Sequence, residues 1–449
     1  MTTTIPTRPA ALLALAAAAL PALAAGETRE LAARLRAETN AFESFDAYSA
    51  AYAPQPLTAS VLLQTRYMVD IRKNNSPFDD DRLDTIGFSI PRAQVRLDAN
   101  IANSQLLARV SFDMGDAEAR RGRAGRDDAD SGTPVLLDAY AQYNFGGEQT
   151  GYYLKAGQFR PQLMQEESTG SEFQLAVERS VANEFFAPGH TQGVALGFVG
   201  PNVAWETSFN SGIAFLGNPG PDNAAFDSQF QADYAVTARL DWKLAGDWTR
   251  FEDFSSWRGD DVAAKVGFGL HWQRQGDTNP SDLVPDFLNG DAQDVSNITW
   301  TIDASYESDG WHAFAAYVGH RLEYEYPDFP TSTLIFVQHG FVMQAGMFFT
   351  DILEGFARYD FVFLDDTLVN GFGGSEEWYQ FLTVGFNAYI TPNSHAAKFT
   401  FDVTAALSDS DVLDAGVANN VFFPDAGVTG MLGGTSEEWL MRAQFQILF

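Results

Sequence analysis

From residue 57 to residue 449 the chain alternates apolar and polar residues in runs of about ten, separated by clusters of Gly, Asp, Asn and Pro. The alternation predicts sixteen strands, over 57–71, 86–101, 104–114, 134–145, 151–159, 192–199, 202–213, 231–244, 261–274, 296–307, 311–324, 337–349, 352–364, 379–391, 397–408 and 437–449. The final run is the plainest. Trp439, Met441, Ala443, Phe445, Ile447 and Phe449 fall on one face, and Leu440, Arg442, Gln444 and Gln446 on the other. Apolar residues on one face, polar residues on the other and a terminal aromatic are the pattern of a strand that closes a membrane-spanning barrel. An even strand number fits a single-chain antiparallel barrel with both ends in the periplasm. The expected fold class is therefore all-β, a 16-stranded antiparallel transmembrane β-barrel over 57–449.

The connections sort by parity. Those after even strands are short, as at Gly200-Pro201, Ser308-Asp309-Gly310, Thr350-Asp351 and Pro392-Asn393. Those after odd strands are long: 115–133, 160–191, 214–230, 275–295, 365–378 and 409–436. Short turns on one side and long loops on the other are expected of an outer-membrane barrel, whereas a soluble sandwich has no reason to sort loops this way. The exception is 245–260, an even connection that is long. Two loops return to the wall through near copies, Gly373-Gly-Ser-Glu-Glu-Trp378 and Gly433-Gly-Thr-Ser-Glu-Glu-Trp439, as interfacial tryptophans after polar turns would.

Residues 1–25 read as a signal peptide: Arg8, an apolar run from Ala10 to Leu20, then small residues around Ala24 and Ala25. Residues 26–56 form an extension and linker. Within it, 27–50 predicts a helix or short coiled coil on the periplasmic side, with Leu31, Leu35, Phe42, Phe45 and Tyr48 at helical spacing.

Composition agrees with export to a membrane. Aromatic residues make up 14% of the chain, as interfacial girdles require, and mean hydropathy is only −0.16. No later stretch is apolar for long enough to be a spanning helix. There are no cysteines, so neither a disulfide framework nor a thiolate metal site is available. The net charge of −31 argues against nucleic acid as a partner.

If the apolar parity faces lipid, the opposite parity lists the lumen. On the first strand Val61, Leu63, Thr65, Tyr67 and Val69 face out, which turns Gln64, Arg66 and Asp70 inward. By the same rule Arg92, Gln94, Arg96 and Asp98 point in on the second strand, and Arg109, Ser111 and Asp113 on the third. Barrel closure brings Arg442 beside these, so Arg66, Arg92, Arg96, Arg109 and Arg442 form a basic ladder on four adjacent strands. Lys155 joins the candidate pore-lining set; Arg239, Lys243, Lys265, Arg358 and Lys398 are also inward by parity.

The connection 160–191 carries Phe173, Val177, Phe185 and Phe186 together with Arg160, Glu166, Glu167, Glu172, Glu178 and Arg179. A loop so apolar is expected to fold inward and become a constriction. Arginines on the wall opposite carboxylates on the loop would create a transverse field that selects small polar solutes by size and charge. The structural alternative is simple pairing, with Asp70, Asp98 and Asp113 satisfying neighbouring arginines.

Several of these segments resemble the phosphate-selective porin O and P family. They are Gly87-Phe-Ser-Ile-Pro-Arg-Ala-Gln-Val-Arg-Leu97, Ala156-Gly-Gln-Phe-Arg-Pro161, Val177-Glu-Arg-Ser180, Phe186-Ala-Pro-Gly189, and Thr383-Val-Gly-Phe-Asn-Ala-Tyr389 with His395. The resemblance implies a homotrimeric outer-membrane porin for passive diffusion of small hydrophilic solutes, with inward arginines that favour phosphate-type anions. Its partners would be those solutes, outer-membrane lipid and lipopolysaccharide. A phosphate-specific filter implies a denser ladder of Arg and Lys than 28 basic residues supply. An alternative is a structural barrel that tethers the membrane through the N-terminal helix. An enzyme is not expected: the six His show no paired motif and there is no G-x-S-x-G. No cofactor is expected. Asp79-Asp80-Asp81 and Asp127-Asp128 lack the ligand spacing of a calcium loop, so no metal is expected either.

Overall fold

The computed structural model describes residues 57–73, 82–101, 105–115, 134–145, 151–213, 232–275, 294–325, 333–371, 377–408 and 438–449. The expected signal peptide, the helical extension over 26–56 and the two Asp clusters lie outside the described residues.

Sixteen antiparallel strands form one closed barrel. In chain order they are β1 (Leu57–Lys73), β2 (Arg82–Ile101), β3 (Leu106–Asp113), β4 (Val135–Asn144), β5 (Gly151–Phe159), β6 (Thr191–Val199), β7 (Val203–Asn210) and β8 (Tyr234–Ala245). The second half comprises β9 (Ala263–Gln275), β10 (Asp294–Ser308), β11 (Trp311–Glu325), β12 (Thr333–Phe348), β13 (Leu353–Phe363), β14 (Trp378–Tyr389), β15 (Ala397–Ala406) and β16 (Trp439–Leu448). Each strand pairs with its sequence neighbours. The ring shuts where β16 meets β1 in the register Gln64↔Gln446, Arg66↔Gln444 and Met68↔Arg442. Every expected strand is present. The largest departures are at the starts of β2 and β12, where pairing with β1 and β11 runs four residues beyond the expected ends.

Among the described residues no helix is long and apolar enough to cross a membrane. Crossing is left to the strands, whose backbones pair with both neighbours around the closed ring. Large apolar side chains cover the outside, among them Leu63, Tyr67, Leu97, Leu196, Leu240, Trp272, Met343 and Phe445. Trp311, Trp378 and Trp439 stand exposed at the first residue of their strands, where an interfacial girdle needs them.

The β10–β11 connection is a two-residue turn. Asp309 (φ 27°) and Gly310 (φ 86°) both take positive φ, the geometry that matches strand twist in a tight hairpin.

The interior divides into two sectors. The inner faces of β1–β5, β8, β9, β15 and β16 carry polar and charged residues. The inner face of β10 is polar too, with Asn297, Thr299, Thr301 and Asp303, whereas β11–β14 are mixed: Phe314, Val318, Leu322, Phe336, Val342, Phe356 and Phe381 pack with loop residues in one buried apolar cluster, beside buried His320, Gln344, Arg358, Asp360 and Asn387. Over that sector the space inside the ring is filled by apolar packing between wall and loop, with buried polar groups among it.

Candidate functional site

The loop that follows β5 leaves Phe159 and turns into the barrel. Its two helical turns, α1 (Gln165–Ser168) and α2 (Val181–Phe186), both lie inside, and residues 169–191 are buried throughout. The reason is local. Leu163, Leu175, Val181, Phe185 and Phe186 join one apolar cluster with inner-face residues of β11–β14 such as Phe314, Val318, Phe336 and Val342. Two wall glycines make the approach possible: a Cβ on Gly340 would stand 2.6 Å from the Phe186 ring, and one on Gly269 would stand 2.5 Å from the Leu163 carbonyl oxygen.

Wall polar groups then satisfy the loop's backbone. Arg239 donates to the Leu163 carbonyl at 2.8 Å and Lys265 to the Gln165 side chain at 2.6 Å, fixing one end to β8 and β9. Across the lumen Lys398 donates to the Gln174 carbonyl (2.7 Å), Asn387 to Leu175 (2.9 Å) and Arg358 to Glu178 (2.7 Å). Asp402 and Asp360 accept the Val177 and Val181 amides at 2.9 and 2.8 Å. These anchors were not legible in the sequence, because a side chain that pairs with a distant backbone amide leaves no sign in its own neighbourhood.

The candidate cations divide into two groups. Arg66, Arg92 and Arg442 all point inward but are sealed beneath the loop, each no more than 2% exposed. Glu178 lies between Arg66 and Arg92, receiving both prongs of the Arg92 guanidinium at 2.9 and 2.8 Å and a contact from Arg66. Burial by itself would raise the Glu178 carboxyl, but Arg92 and Arg66 outweigh it and hold it well below the ordinary carboxylate range. Arg442 is held by Asp402 through contacts of 2.7 and 2.9 Å. On this sector the loop carboxylate touches the arginines directly, so the charges pair rather than face each other across a gap.

Arg96, Arg109 and Lys155 belong to the second group. Together with Arg160 they line a cavity between the inner faces of β2–β5 and the near side of the loop. The cavity opens to solvent and leaves about 70 Å³ for the centres of water-sized molecules, and its remaining charged walls are Asp138 and Glu172, with His190 beside them. Four cations and two carboxylates line it, and each cation has a carboxylate partner. Arg96 lies 3.6 Å from Glu172, Arg109 donates to Asp98 at 2.8 Å, and Lys155 reaches Glu206 at 2.7 Å while its ammonium sits 4.4 Å from the centre of the Phe159 ring. Of the Asp residues expected to pair with arginines, Asp98 does so with Arg109, and Asp113 accepts from Gln94 and from the Ala93 and Gly115 amides.

The remaining loop candidates hold the loop's own shape. Glu166 takes the Ser180 amide and hydroxyl at 2.6 and 2.7 Å, and burial pushes its carboxyl up. Glu167 gathers Arg160 (3.1 Å), Arg179 (3.3 Å) and the Asn183 amide nitrogen (3.0 Å). Arg179 also donates to the Thr169 carbonyl at 2.8 Å. The inward His271 is absorbed in wall hydrogen bonds to Thr237 and Gln273. Among the described residues no group of three or more His, Asp or Glu could hold a metal ion.

A sequence model of the Phosphate-selective porin O and P family matches residues 61–248, which bears out the resemblance over the motifs at 87–97, 156–161, 177–180 and 186–189; the motif at 383–389 with His395 lies outside the match. No curated protein matches the chain in sequence. Among solved structures, the outer membrane channel DcaP of Acinetobacter baumannii is similar with a TM-score of 0.55 at 12% identity, over 88% of this chain and 97% of that one. OprB of Pseudomonas putida gives 0.54 at 10% identity, over 88% and 94%. An anion-selective porin from Comamonas acidovorans gives 0.50 at 10% identity, over 88% and 99%. At such identities the likeness is one of fold, and the fold is that of a sixteen-stranded porin barrel.

Proposed function

We propose that this protein is an outer-membrane porin whose passage for small hydrophilic anions runs off the barrel axis, along β2–β5. The observation that carries the proposal is the cavity on that wall, where Arg96, Arg109, Lys155 and Arg160 outnumber Asp138 and Glu172. A passing solute exchanges hydration for these side chains; each cation is paired with a carboxylate, Asp98, Glu206 and Glu167 standing behind the lining, so anions are favoured by the donors the wall presents to the cavity rather than by net charge. The family match and the closed barrel favour a channel over an enzyme.

The loop from Arg160 to His190 acts as the constriction. It removes the rest of the lumen from conduction, so the arginine ladder at Arg66, Arg92 and Arg442 serves as an anchor for the loop and not as a filter. Residues 1–25 are read as the export signal and the assembly as a homotrimer. Strict phosphate specificity is not part of the proposal, because Asp138 and Glu172 interrupt the cationic lining.

Single-channel recording of the refolded protein in a planar bilayer under a salt gradient tests it. Ohmic steps with a reversal potential on the anion side support it. Cation-selective steps would discard the cavity as an anion filter, and a folded barrel without channels would discard the porin reading.

A further inference from the structure

The connection between β8 and β9, residues 246–262, lies on the side of the barrel where the other described connections are short. It is also the most buried of them. Phe251, Phe254, Ser255, Ser256 and Trp257 are between 0 and 4% exposed. A turn on a barrel rim has no reason to hide from water, so this one is buried because it enters the lumen. Its backbone meets the constriction loop: the Phe254 amide donates to the Phe173 carbonyl at 3.3 Å, and Gln165 donates to the Phe251 carbonyl at 3.0 Å. Its side chains meet the far wall. Ser255 bonds the Tyr389 hydroxyl at 2.9 Å, and the Trp257 ring packs against Phe348 and Tyr389 with centroids 5.0 and 4.8 Å away.

We infer that residues 246–262 form a second constriction element, a periplasmic floor that closes the β9–β16 side of the lumen and leaves the β2–β5 passage as the conducting path. Phe254 and Trp257 suit the task, since an apolar seal between packed walls excludes water and with it any hydrated ion. The connection is long for an even position because a short turn would not reach the loop at all.

This inference rests on the porin reading, and the test separates the two. Residues 247–261 are replaced by Asn-Gly, a turn that links antiparallel strands directly, and single channels are compared with those of the unaltered chain. The expected result is a rise in conductance of roughly twofold or more, with weaker anion preference, as a second and wider route opens. Equal conductance from a barrel shown to be folded by its heat-dependent gel migration overturns the floor. The double variant Phe254→Ala/Trp257→Ala covers the case in which the replacement does not fold. It is expected to admit a neutral trisaccharide into proteoliposomes that exclude it when the chain is unaltered, and unchanged exclusion overturns the inference. If the unaltered chain makes no channels, the porin reading falls instead.

Discussion

Glu178 and Arg92 meet in a two-pronged contact, with the two carboxylate oxygens 2.9 and 2.8 Å from the two terminal guanidinium nitrogens. One partner belongs to the loop and the other to the barrel wall. Both are about 1% exposed, so neither has water to fall back on. Glu178→Gln removes the charge that both Arg92 and Arg66 use. The expected cost is about 3 kcal/mol of stability in denaturant-dependent refolding, because two buried guanidinium groups lose their counter-ion. Open-channel noise is expected to rise as the loop loosens; a quiet, equally stable variant would remove this pair from the loop's anchorage.

The same contact sets a pH window. Glu178 has a folded-state pKa below its unfolded value. Its contribution to stability is therefore complete above the ordinary carboxylate range, and it is lost only when pH falls through the depressed folded value. Lowering pH from 7 to 4 should leave the loop seated and open-channel noise unchanged. Noise at pH 4 equal to that of Glu178→Gln at pH 7 would show that the carboxyl protonates at an ordinary pH.

Arg96 and Arg66 are one strand apart yet have different expected phenotypes. Arg96→Glu changes a cavity wall, and a several-fold fall in the anion-to-cation permeability ratio is expected from reversal potentials. Arg66→Gln alters a side chain sealed beneath the loop, where Arg92 still holds Glu178; that ratio should stay close to the unaltered one. Equal effects from the two would return the filter to the whole ladder.

Gly340 leaves room for Phe186, with only 2.6 Å between a built Cβ and the ring. Gly340→Val forces the ring off its seat, at a cost of about 1–3 kcal/mol for overpacking. A lower unfolding midpoint together with higher conductance would mark the displaced loop, whereas a lower midpoint alone would confine the effect to the wall.

The legible part of this molecule was whatever period-two alternation controls. Strand number, strand order and the lipid face of β1, β2, β3 and β16 follow from it, because lipid on one side and polar groups on the other impose opposite demands on successive residues. Some inner positions of β11–β14 broke that contrast. Phe314, Val318, Phe336, Val342 and Phe356 face inward and are apolar because their solvent is the loop, not water. The parity rule located the charged ladder correctly in direction but could not say which rungs stay wet, since that depends on where a loop from the middle of the chain comes to rest. Length alone singled out residues 245–260. Nothing in Phe251–Trp257 taken by itself distinguishes a floor inside the barrel from a turn outside it.

The constriction loop also straddles the seam of the barrel. Glu172 receives a hydrogen bond from Gln446 on β16 through its carbonyl, and Glu178 binds Arg66 on β1, while Leu163 is tied to β8 on the opposite wall. A segment from the middle of the chain thus touches the first and last strands at once. The order of assembly follows: the loop's full set of bonds exists only after β16 has reached β1, so the act of shutting the ring is rewarded inside it. A barrel that closes in the wrong register would forfeit those bonds.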